Sequence, residues 1–255
     1  MPIDCAAETA AAGEVCTRAG DQAGAAGRVL TRAEVRVRPR PGERPGDSRR
    51  WSARRLVQGA LLGILLAVAV QLFQVTLGGN FHEVIAGDVY RCAQPTAQEL
   101  QALIRRYGIR TVVNLRGDNT EDDWYWQEKR TAERLGALMV DVGMYGNLPP
   151  GAEQLKLLVH TLDHAPPPIL LHCYSGADRA GTASALALLL RTDADLPEAR
   201  RQLAWWLGHN PLGHAGCHDR LFDRYQEWLH TWHQAHAPYH LRHWVREVYR
   251  PEMCQ

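Results

Sequence analysis

Residues 172 to 182 read His-Cys-Tyr-Ser-Gly-Ala-Asp-Arg-Ala-Gly-Thr, so Cys173 and Arg179 stand with five residues between them, after an apolar run and at the mouth of an apolar helix. Breaking a phosphate ester takes an in-line nucleophile, neutralisation of the equatorial oxygens and a proton for the leaving group. Each has a candidate here. Backbone N–H groups of Tyr174, Ser175, Gly176, Ala177, Asp178 and Arg179, between strand and helix, can turn inward as an anion nest, and the helix dipole adds partial positive charge. The same terms favour a thiolate at Cys173. Arg179 can curl back over the nest and grip two phosphate oxygens, as lysine could not. Gly176 supplies the backbone freedom of a tight loop. His172 is expected to orient the loop by hydrogen bonds. The plain alternative is an inert buried cysteine at a strand end; His172, Gly176, Arg179 and Gly181 around it argue for the phosphate loop.

The elements needed to hold that loop are visible upstream. Val89–Cys92 reads as a short strand, and Pro95-Thr96 opens a helix with a capping box from Thr96 to Glu99 and Leu100, Leu103 and Ile104 on one face. Thr111–Leu115 is a buried strand, followed by a helix over about 122–135, a strand over 138–142, a helix after Pro149-Pro150 carrying Leu155, Leu158 and Leu162, and the strand Pro168–Leu171. Repeated βα units imply a mostly parallel sheet with helices on both faces, whose ligands bind at the carboxyl ends of the strands, where Cys173 falls. Helices are expected over 179–191, 195–207, 217–235 and 239–249. The fold class is therefore α/β, with a helical carboxyl-terminal part.

Residues 1–50 are rich in Ala, Gly, Arg and Pro and are expected to be disordered, because they bury too little apolar surface to offset ordering entropy. Leu56 to Leu77 runs without a charge, long enough as a helix to cross a bilayer. Arg49, Arg50, Arg54 and Arg55 precede it and Arg91 is the next basic residue after it, so the amino end is expected in the cytoplasm and the 80–255 domain on the other side. Ser48-Arg49-Arg50 lacks the apolar continuation of a twin-arginine signal and no Ala-x-Ala pattern closes the segment, which favours an uncleaved anchor.

The formal net charge of +1 argues against a nucleic-acid partner. Six widely spaced cysteines suggest neither a zinc ribbon nor a dense disulfide scaffold, although Cys92, Cys217 and Cys254 can pair in an oxidising compartment. His214 and His218 have i, i+4 spacing but no acidic zincin partner, so no metal site is expected. Trp205, Trp206, Trp228, Trp232 and Trp244 read as packing residues, with lipid headgroups as the alternative contact.

The loop resembles the Cys-x5-Arg signature of cysteine-dependent protein tyrosine phosphatases. With Val89–Pro95, Tyr107–Gly117 and Ser175–Arg179, the similarity spans residues 80 to 250 and points to a bacterial branch of atypical dual-specificity phosphatases that often carries an amino-terminal membrane anchor. The resemblance implies a dual-specificity-phosphatase-like fold, a phosphocysteine intermediate, no metal or other cofactor, and a bacterial inner-membrane location. Two positions depart from the family. Ala180 stands where a Ser or Thr hydroxyl usually follows the arginine, which predicts slow hydrolysis of the intermediate. The segment Gly143–Leu148 holds no aspartate where the general acid usually lies; Asp178 is the first candidate acid, as in relatives ending in Ala-Asp-Arg, with Asp141 and Asp118 behind it and a loop-stabilising role as its alternative. The loop has no lysine and one acid, favouring a singly phosphorylated group, such as a phosphotyrosine protein or a small phosphomonoester, over polyphosphorylated substrates. Trp124, Tyr125 and Trp126 are candidates for an aromatic rim or for packing. The rival functions are a pseudophosphatase that binds phosphorylated partners and a rhodanese-like sulfurtransferase.

Overall fold

The computed structural model describes residues 47–76, 78–211 and 216–251. Most of the segment expected to be disordered, and Cys5, Cys16, His214 and Cys254, lie outside them. The sheet, the site and the apolar span all fall within one of the chain's two units, Trp51–Gln255.

Helix α1 runs Asp47–Thr76, so the last residues of the 1–50 segment are helical rather than disordered. The apolar run propagates a helix back to Asp47, whose charge suits a helix amino end. Its stretch Ala53–Gln71 is 19 residues long, apolar enough to cross a bilayer and exposed except at the half-buried Gln71. At 1.5 Å per residue it measures about 28 Å, close to a hydrocarbon core.

Five strands follow: β1 His82–Ile85, β2 Val89–Cys92, β3 Thr111–Asn114, β4 Leu138–Asp141 and β5 Ile169–His172. Their order is β1-β2-β5-β3-β4. Only the β1–β2 pairing is antiparallel; the other three are parallel. With β5 central, its side chains alternate between two cores. Ile169 and Leu171 join Leu155, Leu158 and Leu162 of α4 (Ala152–His164), Leu186, Leu189 and Leu190 of α5 (Asp178–Arg191), and Phe222 and Tyr225 of α7 (Cys217–Thr231). Leu170 faces Leu100 and Ile104 of α2 (Ala97–Tyr107) and Ala132 of α3 (Asp123–Arg134). β3 and β5 are buried on both faces, which is why they read as short apolar runs. The Thr96–Glu99 capping box starts α2 and Gly108, at φ 65°, ends it.

Two expectations for the helical half need correction. The helix expected over 195–207 stops at Arg200: α6 is Leu196–Arg200, followed by 3₁₀ turns at Arg201–Leu203 and Trp205–Leu207. Here the carbonyls of Gln202 and Leu207 accept from Arg91 and Asn80 instead of continuing a helix ladder. The last helix likewise becomes α8 Pro238–His243 plus a π turn, Trp244–Val248. Of the tryptophans read as packing, Trp244 is buried, but Trp205, Trp206 and Trp232 are exposed.

Candidate active site

Asn114 of β3, Asp141 of β4 and Cys92 of β2 lie level with His172 at the carboxyl end of β5, or with its neighbour strand. Cys173, 1% exposed, is the next residue, and α5 begins at Asp178. The chain between them is gripped from behind at four consecutive carbonyls. The Gln94 amide donates to Tyr174 O, Asn80 Nδ2 to Ser175 O, and Arg91 Nη2 to Gly176 O and Ala177 O. In a trans peptide the C=O of one residue and the N–H of the next point in opposite directions. Pulling those carbonyls backward therefore turns the amides of residues 175–178 forward, away from Arg91.

Arg91 is wholly buried and also donates to Gln202 O at 2.7 Å and Gln202 Oε1 at 3.1 Å. Burial lowers its pKa to about 10, opposed by the charges of Cys173 and Asp178, so it remains a cation at neutral pH. Gly176 has φ 70°, and a Cβ there would come within 2.6 Å of the Ala93 amide nitrogen. Only glycine lets the loop lie this close to the end of β2. At Gly181 a Cβ would meet Gln202 O at 2.7 Å, so α5 packs equally tightly on the 201–203 turn.

Arg179 Nη1 donates to Met144 O at 3.1 Å, placing its guanidinium against the 143–148 segment. Asp178 does not stand alone. Its Oδ1 lies 2.7 Å from His209 Nδ1, and His209 Nε2 lies 2.7 Å from Asp219 Oδ2. Burial opposes charge on His209, but hydrogen bonds to Asp178 and Asp219 outweigh it and raise its pKa to about 9. The other candidate acids are placed differently: Asp141 accepts from Asn114 Nδ2 and from the Tyr125 hydroxyl, both at 2.8 Å, and Asp118 is exposed.

His172 does not bond the loop as expected. Its Nε2 sits 2.6 Å from Glu128 Oε1 with both groups buried, yet the two are not aligned for a hydrogen bond. Glu128 accepts from Gln94 Nε2 at 2.7 Å, and Arg116 Nη1 donates to Gln94 Oε1 at 3.0 Å. Arg116 lies 3.7 Å over the Trp124 ring and 5.5 Å from the ring of Tyr174, which brings a second arginine toward the loop. Trp124 thus stacks on a cation, Tyr125 is buried on Asp141, and Trp126 bonds Thr120 O; the exposed aromatics at the loop are Tyr174 and Tyr145. Burial holds the Cys92 thiol well above its ordinary range, leaving it an unreactive neighbour. Ala180 is fully buried, and Thr182, the next hydroxyl, is occupied by Asp178 O and His218 Nδ1. Among the described residues no cluster of His, Cys, Asp or Glu could hold a metal.

Sequence reasoning found the loop and missed its supports. Arg91 carried a signal, a charge inside an apolar four-residue strand. His209 and Asp219 lie 31 and 41 positions beyond Asp178, with no spacing pattern to join them.

The chain's similarities to known proteins fall on the same region. Residues 74–192 match the profile of a family described as DSP-PTPase phosphatase fused to NAD+ kinase. The match covers the whole sheet and the Cys173–Arg179 loop. It supports phosphatase chemistry there. Among solved structures, the core catalytic domain of the PP-IP phosphatase SIW14 from S. cerevisiae has 19% identity and a TM-score of 0.44, covering 60% of this chain and 93% of its own. P. aeruginosa TpbA has 21% identity and a TM-score of 0.45, covering 56% of this chain and 84% of its own. No curated protein matches the chain.

Proposed function

We propose that this chain hydrolyses phosphomonoesters at the Cys173–Arg179 loop through a phosphocysteine intermediate. The observation that supports the reading is the grip on the carbonyls of residues 174–177, which turns the following amides to the opposite side of the loop. Cys173 Sγ attacks phosphorus as a thiolate; the S–P bond forms as the bond to the leaving oxygen breaks, and the loop amides with Arg179 hold the equatorial oxygens. A water then attacks phosphorus, the S–P bond breaks and the thiolate is restored.

The leaving oxygen takes its proton from Asp178. With His209 protonated up to about pH 9, the Asp178–His209 pair holds a shared proton through the neutral range, 2.7 Å from nitrogen to oxygen. Once that proton has gone to the leaving oxygen, the pair takes one back from the attacking water in the second step and is restored. Asp178→Asn and His209→Asn should lower kcat by roughly 10²-fold on an alkyl phosphate, whose leaving group needs the proton, and far less on an aryl phosphate with an acidic leaving group. Equal losses on both substrates would reduce the pair to a scaffold. The His209 pairs also fix a pH dependence of stability. Its folded pKa lies above the ordinary 6.5, so its contribution is complete below pH 6.5 and is lost as pH rises through about 9. Wild type should lose stability to denaturant across that window, and His209→Asn should not.

The mouth favours one phosphate on an aromatic or small carrier. Tyr174 and Tyr145 are 70% and 69% exposed at its edge, and the loop offers no lysine. A binding-only reading draws on Ala180, buried where a hydroxyl would assist breakdown of the intermediate; it requires a single burst of product and no turnover. The exposed α1 stretch Ala53–Gln71 supports a membrane anchor, and the four arginines before it support a cytoplasmic amino end with the catalytic domain extracytoplasmic. Cys217 is disulfide-bonded, in keeping with an oxidising compartment. A reporter fused to the carboxyl end should signal outside the cytoplasm, and a cytoplasmic signal would reverse the orientation.

A further inference from the structure

Gln71 closes the apolar stretch Ala53–Gln71, and its Nε2 donates to the backbone oxygen of Trp206 at 2.6 Å. The 3₁₀ turn Trp205–Leu207 is thereby fixed at the level where the apolar stretch ends. α1 continues five residues past Gln71 to Thr76, about 7.5 Å of rise, which is comparable to the headgroup layer of one leaflet. At that level two adjacent indoles project from the fold: Trp205 is 70% exposed and Trp206 44%, their rings edge to face at 5.8 Å. Tryptophan, with an apolar ring and one N–H donor, is the side chain best suited to a bilayer interface and poorly suited to open water.

We propose that Trp205 and Trp206 seat in the interfacial layer of the same bilayer that α1 crosses, so that the catalytic domain rests on the membrane surface. The inference depends on reading α1 as a membrane span. It has a consequence for the site, because the turns that carry the indoles also brace the phosphate loop. Gln202 is held by Arg91, Leu207 O and Ser175 O share the Asn80 amide, and His209, two residues past Leu207, pairs with Asp178. The chain leaving α1 joins them directly, since Gly79 O accepts from the Ala93 amide, one residue from Gln94, which holds Tyr174 O. The scaffold that shapes the loop from behind is therefore continuous with the membrane-seated turn.

The test uses the full chain reconstituted into phosphatidylcholine vesicles brominated near the glycerol end of the acyl chains, with tryptophan emission as the readout. Trp51 contributes equally to every variant. The Trp205→Ala/Trp206→Ala double variant should lose about half of the bromolipid quenching seen in wild type, whereas Trp232→Ala, also exposed but without a bond to α1, should lose none. Should the double variant misfold by circular dichroism, Trp205→Ala alone, at the most exposed of the two positions, should lose a measurable part of it. Unchanged quenching in a folded variant that resists alkaline extraction overturns the interfacial seat while leaving the span intact. Extraction of wild type by alkali overturns the span, and the proposal with it.

Discussion

Replacing Cys173 by serine should lower turnover of an aryl phosphate by about four orders of magnitude or more, while inorganic phosphate still competes for the loop. The substitution exchanges a thiol for a hydroxyl that the nest cannot ionise at neutral pH. The rest of the proposed phosphate site, the loop amides and Arg179, is untouched by the substitution. Those amides are aimed by Gln94, Asn80 and Arg91 from behind. Binding and turnover should therefore separate cleanly, measured as the inhibition constant of phosphate against the residual rate. Cys92→Ser should leave the rate unchanged within about twofold, since burial keeps that thiol neutral.

Arg91→Met should cost about 3 to 5 kcal/mol, the largest stability loss expected from any single side chain at the site. The guanidinium is wholly buried and joins three elements: β2, which carries it, the phosphate loop through Gly176 O and Ala177 O, and the 201–203 turn through Gln202. Methionine fills the volume but leaves buried carbonyls without donors. The loop peptides then lose the pull that turns their amides forward, so kcat should fall along with stability. Arg91→Lys keeps the charge but has one nitrogen where two are used, and should recover only part of each. Denaturant unfolding and aryl phosphate kinetics on the same preparations check both effects. Full activity in Arg91→Met would mean that the nest holds its shape without the buried cation.

The sheet was readable because its three inner strands are buried on both faces and its helices carry their own punctuation. Thr96, Glu99 and Gly108 bound α2 by local hydrogen bonds and a left-handed turn that residue type alone predicts. The reading failed where the backbone answers to distant partners. Nothing near Leu207 announces that Asn80 will take its carbonyl, so a helix over 195–207 looked continuous. The site divides in the same way. Cys173, Gly176 and Arg179 are legible because the chemistry demands fixed local spacing. His172 was misread as a loop-orienting donor because its partner, Glu128, comes from α3. The Asp178–His209–Asp219 array was invisible because folding, rather than spacing, assembles it. Trp205 and Trp206 read from their helical spacing as packing residues with lipid headgroups as the alternative, and their exposure beside Gln71 favours the alternative.

The most direct measurement of the central claim is acid-quenched intact mass and peptide mapping after mixing enzyme with an aryl phosphate. The account predicts one added phosphoryl group on the peptide carrying Cys173. It should accumulate within the first turnover, because Ala180 removes the hydroxyl that would speed its hydrolysis, and be absent in Cys173→Ser. Steady turnover that survives Cys173→Ser, or a phosphoryl group mapped to another residue, would contradict it.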